Sequence, residues 1–138
     1  MYDPMMVAPM RDELVAAGFR SLKTPQEVDE VLTDKAHTTL VVVNSVCGCA
    51  AANARPGAIQ ALKHGTLPDN KTTVFAGVDR EATDRARGYF RGFMPSSPSI
   101  ALLKGGECVF MLQRHEIEGR DPKDVAAKLT AAFDAHCT

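Results

Sequence analysis

Two cysteines separated by one glycine, Cys47 and Cys49, are the residues whose type and spacing point most directly to chemistry. They follow an apolar run and precede an alanine-rich stretch, so we expect them where a strand ends and a helix begins. Backbone N–H groups at a helix N-terminus favour a thiolate, which is the reactive nucleophile. The spacing therefore predicts a redox pair in which the more exposed Cys47 attacks a disulfide and Cys49 resolves the mixed disulfide. We expect Gly48 to give the turn unusual backbone angles and to leave both sulfurs accessible to substrate.

The residues alone leave other uses of the pair open. The two thiols could be inert buried groups, or a non-catalytic redox sensor. They could also bind a metal, although zinc ordinarily takes four ligands. The other cysteines, Cys108 and Cys137, are far apart in sequence, and the four histidines show no ligand-like spacing to the pair. Two thiolates alone can hold Cu(I), so copper is the metal to test.

Composition and charge narrow the class of protein. The 138 residues are 45% hydrophobic and carry a net charge of −1. These values predict one globular domain over residues 1–138, with an extended arm at about 1–9, and no nucleic-acid or membrane partner. The first residues lack the basic start and unbroken apolar segment of a secretory signal. We therefore expect the reducing cytoplasm, where cysteines are more often catalytic groups or metal ligands than permanent disulfides.

The predicted elements alternate between helix and strand. Helices are predicted over 10–19, 24–34, 47–65 with a kink at Pro56, 80–93 and 121–136, and strands over 38–44, 71–79, 98–103 and 107–112. The Gly-Gly loop between the last two strands predicts an antiparallel hairpin, whereas the β-α-β order before it predicts a parallel pair. The fold class is therefore α/β, a thioredoxin-like three-layer sandwich whose mixed central sheet has helices on both faces.

A thioredoxin-like fold gives the segment MPSSPSIALL a specific meaning. In that fold the loop before this strand faces the active-site turn, and its proline is cis. By this likeness we predict a cis Ser97–Pro98 bond, which is uncommon in general but usually purposeful. The backbone of Ser97 would then be free to pair with an incoming substrate backbone.

Five segments resemble the bacilliredoxin family: VVVNSVCGCAAANARPG, VFAGVDREATDRAR, MPSSPSIALL, RHEIEGRD and MVAPMRDEL. The resemblance extends along essentially the whole chain. It implies a thiol–disulfide oxidoreductase that removes bacillithiol from proteins carrying it as a mixed disulfide. Such a protein has no bound cofactor and uses bacillithiol as thiol co-substrate. Cys47 would attack the bacillithiol sulfur, and Cys49 or a second bacillithiol would then release it. General disulfide isomerase or reductase activity is the alternative that the resemblance also allows.

Remaining polar residues give weaker expectations. Bacillithiol is anionic, so Arg55, Arg91 and Arg114 are candidate binding residues by chemistry alone. We expect Cys108 to be packed and inert, and Cys137 to be either exposed or docked on the last helix. For His64 and for the adjacent His115 and Glu116 we expect structural or solvent-facing roles.

Overall fold

The computed structural model describes residues 2–137 as a five-stranded sheet between two layers of helices. In chain order its elements are α1 Pro4–Ala16, β1 Arg20–Ser21, α2 Pro25–Leu32, β2 Thr38–Asn44, a π-helical turn Ala50–Ala54, α3 Arg55–Ala61, β3 Asn70–Phe75, α4 Arg80–Arg87, β4 Ser99–Lys104, β5 Glu107–Leu112, α5 Arg114–Ile117 and α6 Pro122–His136.

The sheet is mixed, as the sequence predicts. Its strand order is β1-β3-β2-β4-β5. Strands β1 and β2 run parallel to β3, whereas β4 is antiparallel to both β2 and β5. Strand β2 is therefore central, and every one of its residues is buried. Its β-branched and aliphatic sequence suits a strand that is covered on both faces.

Alternate residues of β2 enter two separate cores, which confirms helices on both faces. Leu40 and Val42 pack in the core that contains residues of α1, α3 and α6. Val41 and Val43 pack in the core that contains residues of α2 and α4. This alternation follows from the period of two residues along a strand, which sends successive side chains to opposite faces. The two cores thus fix β2 from both faces of the sheet, and the cysteine pair directly follows the end of this strand.

The expectation of an extended arm over residues 1–9 is wrong. Helix α1 begins at Pro4, because the side chain of Asp3 accepts a hydrogen bond from the backbone N–H of Met5 and caps the helix. Pro4 occupies a first-turn position, where its missing N–H costs no helical bond. Pro9 lies inside α1 and does not end it. Both prolines therefore fall within one helix.

The helix after the cysteine pair approaches α6 closely. At Gly57 in α3, a Cβ atom would lie 2.6 Å from Cγ1 of Val125, so only glycine fits this contact. A kink is predicted at Pro56, which occupies the first turn of α3. Directly before it, Ala50–Ala54 form a π-helical turn, a wide turn found mostly at functional sites.

Other features also depart from the predicted elements, and the strand predicted over 71–79 ends at Phe75. The two-residue strand β1 and the four-residue helix α5 are too short to give a sequence signal. The helix predicted over 80–93 ends at Arg87, and Gly88 caps it. Among residues 2–137, the helices lack the combination of length and apolar character that a membrane span requires.

Candidate active site

The two cysteines of the Cys-Gly-Cys turn lie within contact distance of each other. Their Sγ atoms are 3.2 Å apart, and both are free thiols. Cys47 follows the end of β2, and Cys49 directly precedes the π-helical turn. Both side chains are half-buried, so the prediction of a distinctly more exposed Cys47 is not supported.

Gly48 departs from one of the two parts of its predicted role, the unusual backbone angles. Its φ is not among the positive glycine angles of the structure, so the turn needs no left-handed conformation there. A Cβ atom at this position would meet no atom within 4 Å. The glycine is exposed, and its effect is therefore to leave the approach to the two sulfurs open rather than to permit an unusual turn.

Hydrogen bonds surround the sulfur of Cys47. The hydroxyl of Ser45 donates to Cys47 Sγ at 3.1 Å. Partial burial opposes a thiolate here, but bonds from Ser45, from the Cys49 thiol and from the backbone N–H groups of Ala50 and Cys49 outweigh it. Together they lower the pKa of Cys47 below its ordinary value. Hydrogen bonds to the charged form thus make this sulfur the readily ionised member of the pair.

Cys49 has the opposite tendency. Burial, the hydrogen bond to Cys47 and the charge of that neighbour all raise the pKa of Cys49, whereas Arg114 lowers it to a smaller degree. When the pair loses one proton, Cys47 therefore carries the negative charge and Cys49, 3.2 Å away, keeps its proton.

A buried arginine, Arg55, binds the backbone and side chain of residues at the start of the cysteine turn. The side chain of Arg55 is only 4% exposed and forms an ion pair with Glu13 of α1. Its Nη1 donates to Asn44 Oδ1 at 2.9 Å and to the carbonyl oxygen of Ser45 at 3.0 Å. Asn44 Oδ1 also accepts the backbone N–H of Ser45 at 2.9 Å. These contacts fix the backbone of Ser45, whose hydroxyl bonds Cys47.

The predicted cis Ser97–Pro98 bond is present, and Ser97 lines one pocket together with Cys47. Pro98 is buried and Ser97 is half-buried. This pocket of about 310 Å³ also contains Tyr2, Arg87 and Arg114. Nη1 of Arg114 donates to the carbonyl oxygen of Ser97 at 3.3 Å, which joins the proline loop to α5.

The three arginines named as candidate anion-binding residues have different positions. Arg114 lies at the pocket and its charge acts on both cysteines. Arg55 is buried beneath the turn and already paired. Arg91 lines a different pocket, with Lys35 and Cys108. Only Arg114 of the three is therefore placed to meet a substrate at Cys47.

The sequence reasoning missed Ser45, Asn44 and Arg87. Ser45 is two residues before Cys47, and that spacing was a usable signal for a side chain that bonds the sulfur. Arg87 gave no such signal, because the fold alone brings the end of α4 to the cysteines.

Cys108 and Cys137 lie away from the pair. In the sheet Cys108 is opposite Leu103, and Leu103 is opposite Thr39 near the start of β2, whereas the pair follows its end. Cys137 lines a pocket with Thr38, the first residue of β2. Burial raises the pKa of both thiols. Cys108 is half-buried and lines a pocket with Lys35 and Arg91, so it is less closely packed than expected, and its inert role stays a prediction.

The histidines lie outside the site. Nε2 of His64 is 2.8 Å from Asp134 Oδ1 in α6, while His115 is largely exposed and 4.0 Å from Glu116. Over residues 2–137, no group of three or more His, Cys, Asp or Glu side chains is placed to hold a metal ion.

Comparison with known sequences identifies the family. The family described as Disulphide isomerase matches residues 2–137. A bacilliredoxin of Bacillus licheniformis is 53% identical and covers 99% of this chain and 95% of its own. A bacilliredoxin of Halalkalibacterium halodurans is 56% identical and covers 93% of this chain and 88% of its own.

The chain belongs to the bacilliredoxin family. A bacilliredoxin of Koribacter versatilis, 51% identical over 99% of this chain and 94% of its own, extends the similarity beyond the bacilli. This membership confirms the resemblance found in the five sequence segments.

Solved structures confirm the thioredoxin fold of this bacilliredoxin-family chain. A putative oxidoreductase with a thioredoxin fold has a TM-score of 0.64 at 17% identity and covers 83% of this chain and 92% of its own. The thioredoxin of Malassezia sympodialis has a TM-score of 0.60 at 17% identity and covers 88% of this chain and 92% of its own. Family and fold together assign the chain to the thiol–disulfide oxidoreductases.

Proposed function

We propose that this protein removes bacillithiol from protein mixed disulfides through Cys47 and Cys49. The Cys47 thiolate attacks the bacillithiol sulfur of the mixed disulfide. The bond between bacillithiol and the client protein breaks, the client sulfur leaves as a thiolate, and a Cys47–bacillithiol disulfide forms. The client cysteine is thereby reduced, and no bound cofactor takes part.

The observation that carries this proposal is the set of hydrogen bonds on Cys47. Ser45, Cys49 and backbone N–H groups lower the pKa of this thiol although it is half-buried. A thiolate is the nucleophile in thiol–disulfide exchange, so a larger thiolate population at neutral pH speeds the attack. The family relationship supports bacillithiol as the small thiol.

Two routes can release bacillithiol from Cys47. Cys49, whose sulfur is 3.2 Å from that of Cys47, can attack Cys47 Sγ after losing its proton, which frees bacillithiol and leaves an internal disulfide. Alternatively, a second bacillithiol attacks the bacillithiol sulfur, which frees Cys47 and forms bacillithiol disulfide. The raised pKa of Cys49 keeps it protonated and out of competition during the first attack.

Recognition of the client uses the loop around the cis proline. The half-buried Ser97 lines the pocket beside Cys47 and offers its backbone to an extended client segment, with Gly48 leaving the approach open. We place the reaction in the cytoplasm, where a reducing environment keeps thiols such as these four free.

The test uses a bacillithiolated client protein and three variants. Cys47→Ser should lose the activity by at least about a thousandfold, because hydroxyl cannot replace thiolate as the nucleophile. Cys49→Ser should still free the client thiol in a single turnover but stop at the mixed disulfide. Cys108→Ser is the matched control and should behave as the parent.

Other outcomes assign other functions. Equal activity of Cys47→Ser and the parent would contradict the proposal. Repair of scrambled disulfides without release of bacillithiol would favour disulfide isomerase activity, as the family description reads. One equivalent of copper in reduced protein, lost in either cysteine variant and accompanied by no turnover, would favour a Cu(I) module.

A further inference from the structure

Arg87 is a half-buried cation with few polar partners that lines the pocket of Cys47 and also a smaller pocket next to Ser96. Its Nη2 donates to the carbonyl oxygen of Ser96 at a long 3.4 Å. Its Nε is buried and has no hydrogen-bond partner among residues 2–137. Within the same range, no carboxylate forms an ion pair with it. A buried guanidinium N–H without a partner costs free energy, and an anion bound nearby offsets that cost.

The partners of Arg55 show what Arg87 lacks. Both arginines are near the turn, but Arg55 has Glu13, Asn44 and the carbonyl oxygen of Ser45 as partners. Its charge is thus neutralised within the protein, as is usual for a buried arginine. Arg87 lacks such an arrangement, and it lines the pocket that holds the nucleophile.

The pocket itself is cationic. Arg87 and Arg114 both line it, and among the described residues its walls include no Asp or Glu. Glu118 pairs with Nε of Arg114 at 3.0 Å, while Nη1 of Arg114 reaches the Ser97 carbonyl. At about 310 Å³ the pocket suits a small molecule rather than a folded acidic segment.

We propose that Arg87 and Arg114 form a subsite for the carboxylate of an anionic low-molecular-weight thiol whose sulfur is exchanged at Cys47. Arg87 contributes more of the binding free energy for this carboxylate than Arg114 does, because Arg114 is already paired with Glu118. This inference rests on the proposed exchange at Cys47, but it adds charge selectivity and a specificity-determining residue. Guanidinium–carboxylate bonds combine charge with directed N–H donors, so they favour a carboxylate over a neutral group of equal size.

The test compares two small disulfides in the Cys49→Ser background, where the reaction stops after one step. The Cys47 thiolate attacks one sulfur, forms an adduct and expels the other half as a thiolate. The disulfide of mercaptoacetate carries carboxylates, and the disulfide of mercaptoethanol is neutral and similar in size. The second-order rate of adduct formation is measured for each by intact-protein mass spectrometry.

Arg87→Gln should slow the anionic disulfide by about tenfold, the loss typical of one charged hydrogen-bonding partner. The neutral disulfide should change by less than about twofold. Arg91→Gln, which removes an exposed arginine that lines a different pocket, is the matched control and should leave both rates unchanged. Equal slowing of both disulfides would mean that Arg87 acts on Cys47 itself, and no slowing of either would mean that it binds nothing; both results overturn the inference.

Salt gives a second measurement that needs no arginine variant. Raising the ionic strength screens the attraction, so the anionic-to-neutral rate ratio of the Cys49→Ser protein should fall. A ratio independent of salt would overturn the inference. A protein that keeps this charge selectivity but fails on bacillithiolated clients would contradict the proposed function alone.

Discussion

Cys47 and Cys108 are chemically identical side chains, both half-buried, with opposite pKa shifts. Burial opposes ionisation at each of them. At Cys108 burial outweighs one backbone hydrogen bond from Phe110, and the pKa rises. The bond that Cys108 Sγ donates to the Phe110 carbonyl oxygen is available only to the protonated thiol. At Cys47 the hydroxyl of Ser45, the Cys49 thiol and two backbone N–H groups donate to the sulfur, and the pKa falls.

The comparison teaches that donated hydrogen bonds, rather than exposure, decide which thiol reacts. Cys108 lies in the edge strand β5, beside an irregularity in its pairing with β4, and a single backbone hydrogen bond, from Phe110, favours its thiolate. Cys47 lies just beyond a strand end, where N–H groups of the following turn remain free to bond the sulfur. The position relative to the strand therefore sets the reactivity.

The largest expected effect comes from removing the support beneath Cys47. Arg55→Ala should lower the free energy of unfolding by about 3 kcal/mol, because it removes the donor to the buried Ser45 carbonyl oxygen, one of two donors to Asn44 Oδ1, and the ion-pair partner of Glu13. It should also slow alkylation of Cys47, since Ser45 is no longer fixed. Urea unfolding measures the first effect, with the exposed Arg91→Ala as control. Unchanged unfolding and unchanged Cys47 alkylation would show that the network does not hold the turn.

The second largest effect is the expected difference in alkylation rate between Cys47 and Cys108. At neutral pH iodoacetamide should alkylate Cys47 at least about ten times faster than Cys108, because only the thiolate reacts. A lowered pKa means that the Cys47 rate reaches its plateau at lower pH, and a raised pKa means that the Cys108 rate is still rising there. Peptide-resolved mass spectrometry across a pH series measures both. Coinciding profiles would remove the basis of the comparison.

A smaller effect should follow when one donor is removed. Ser45→Ala deletes the 3.1 Å bond to Cys47 Sγ. A net hydrogen bond contributes about 1 kcal/mol, which corresponds to about a fivefold smaller thiolate population. Alkylation of Cys47 at neutral pH should therefore slow by about fivefold while the Cys108 rate is unchanged. A faster Cys47 reaction in this variant would mean that the hydroxyl hinders rather than stabilises the thiolate.

The smallest effect is expected from replacing Cys108. Cys108→Ser keeps the volume and a donor for the Phe110 carbonyl. Its unfolding free energy should change by less than about 1 kcal/mol. Client reduction should also be unchanged, since Cys108 lies at the end of the sheet opposite the pair. A clear loss of reduction in this variant would assign Cys108 a part in the reaction.

The strands and the cysteine turn could be predicted because their signals are local. The buried run 38–44 lacks polar alternation, and the Gly-Gly hairpin has a specific turn composition. The cap at Thr24 is also local, and its side chain does accept the backbone N–H of Glu27. Such features depend on neighbours within a few residues, so a single sequence contains them.

The residues that tune the site could not be predicted in the same way. Glu13 is 42 residues from Arg55, and nothing in their local sequence indicates that the arginine is buried. Arg87 lines the pocket of Cys47 because the fold brings the end of α4 there, and no local signal indicates this. The sequence analysis predicts an extended arm at about 1–9, whereas Asp3 caps a helix that begins at Pro4.

The most direct test of the account is the site of the first covalent adduct. Cys49→Ser protein is mixed with a bacillithiolated client for a single turnover, and the modified residue is located by mass spectrometry. We predict one bacillithiol on Cys47, with one client thiol released for each adduct formed. An adduct on Cys108 or Cys137, or release of the client thiol with Cys47 unmodified, would contradict the account.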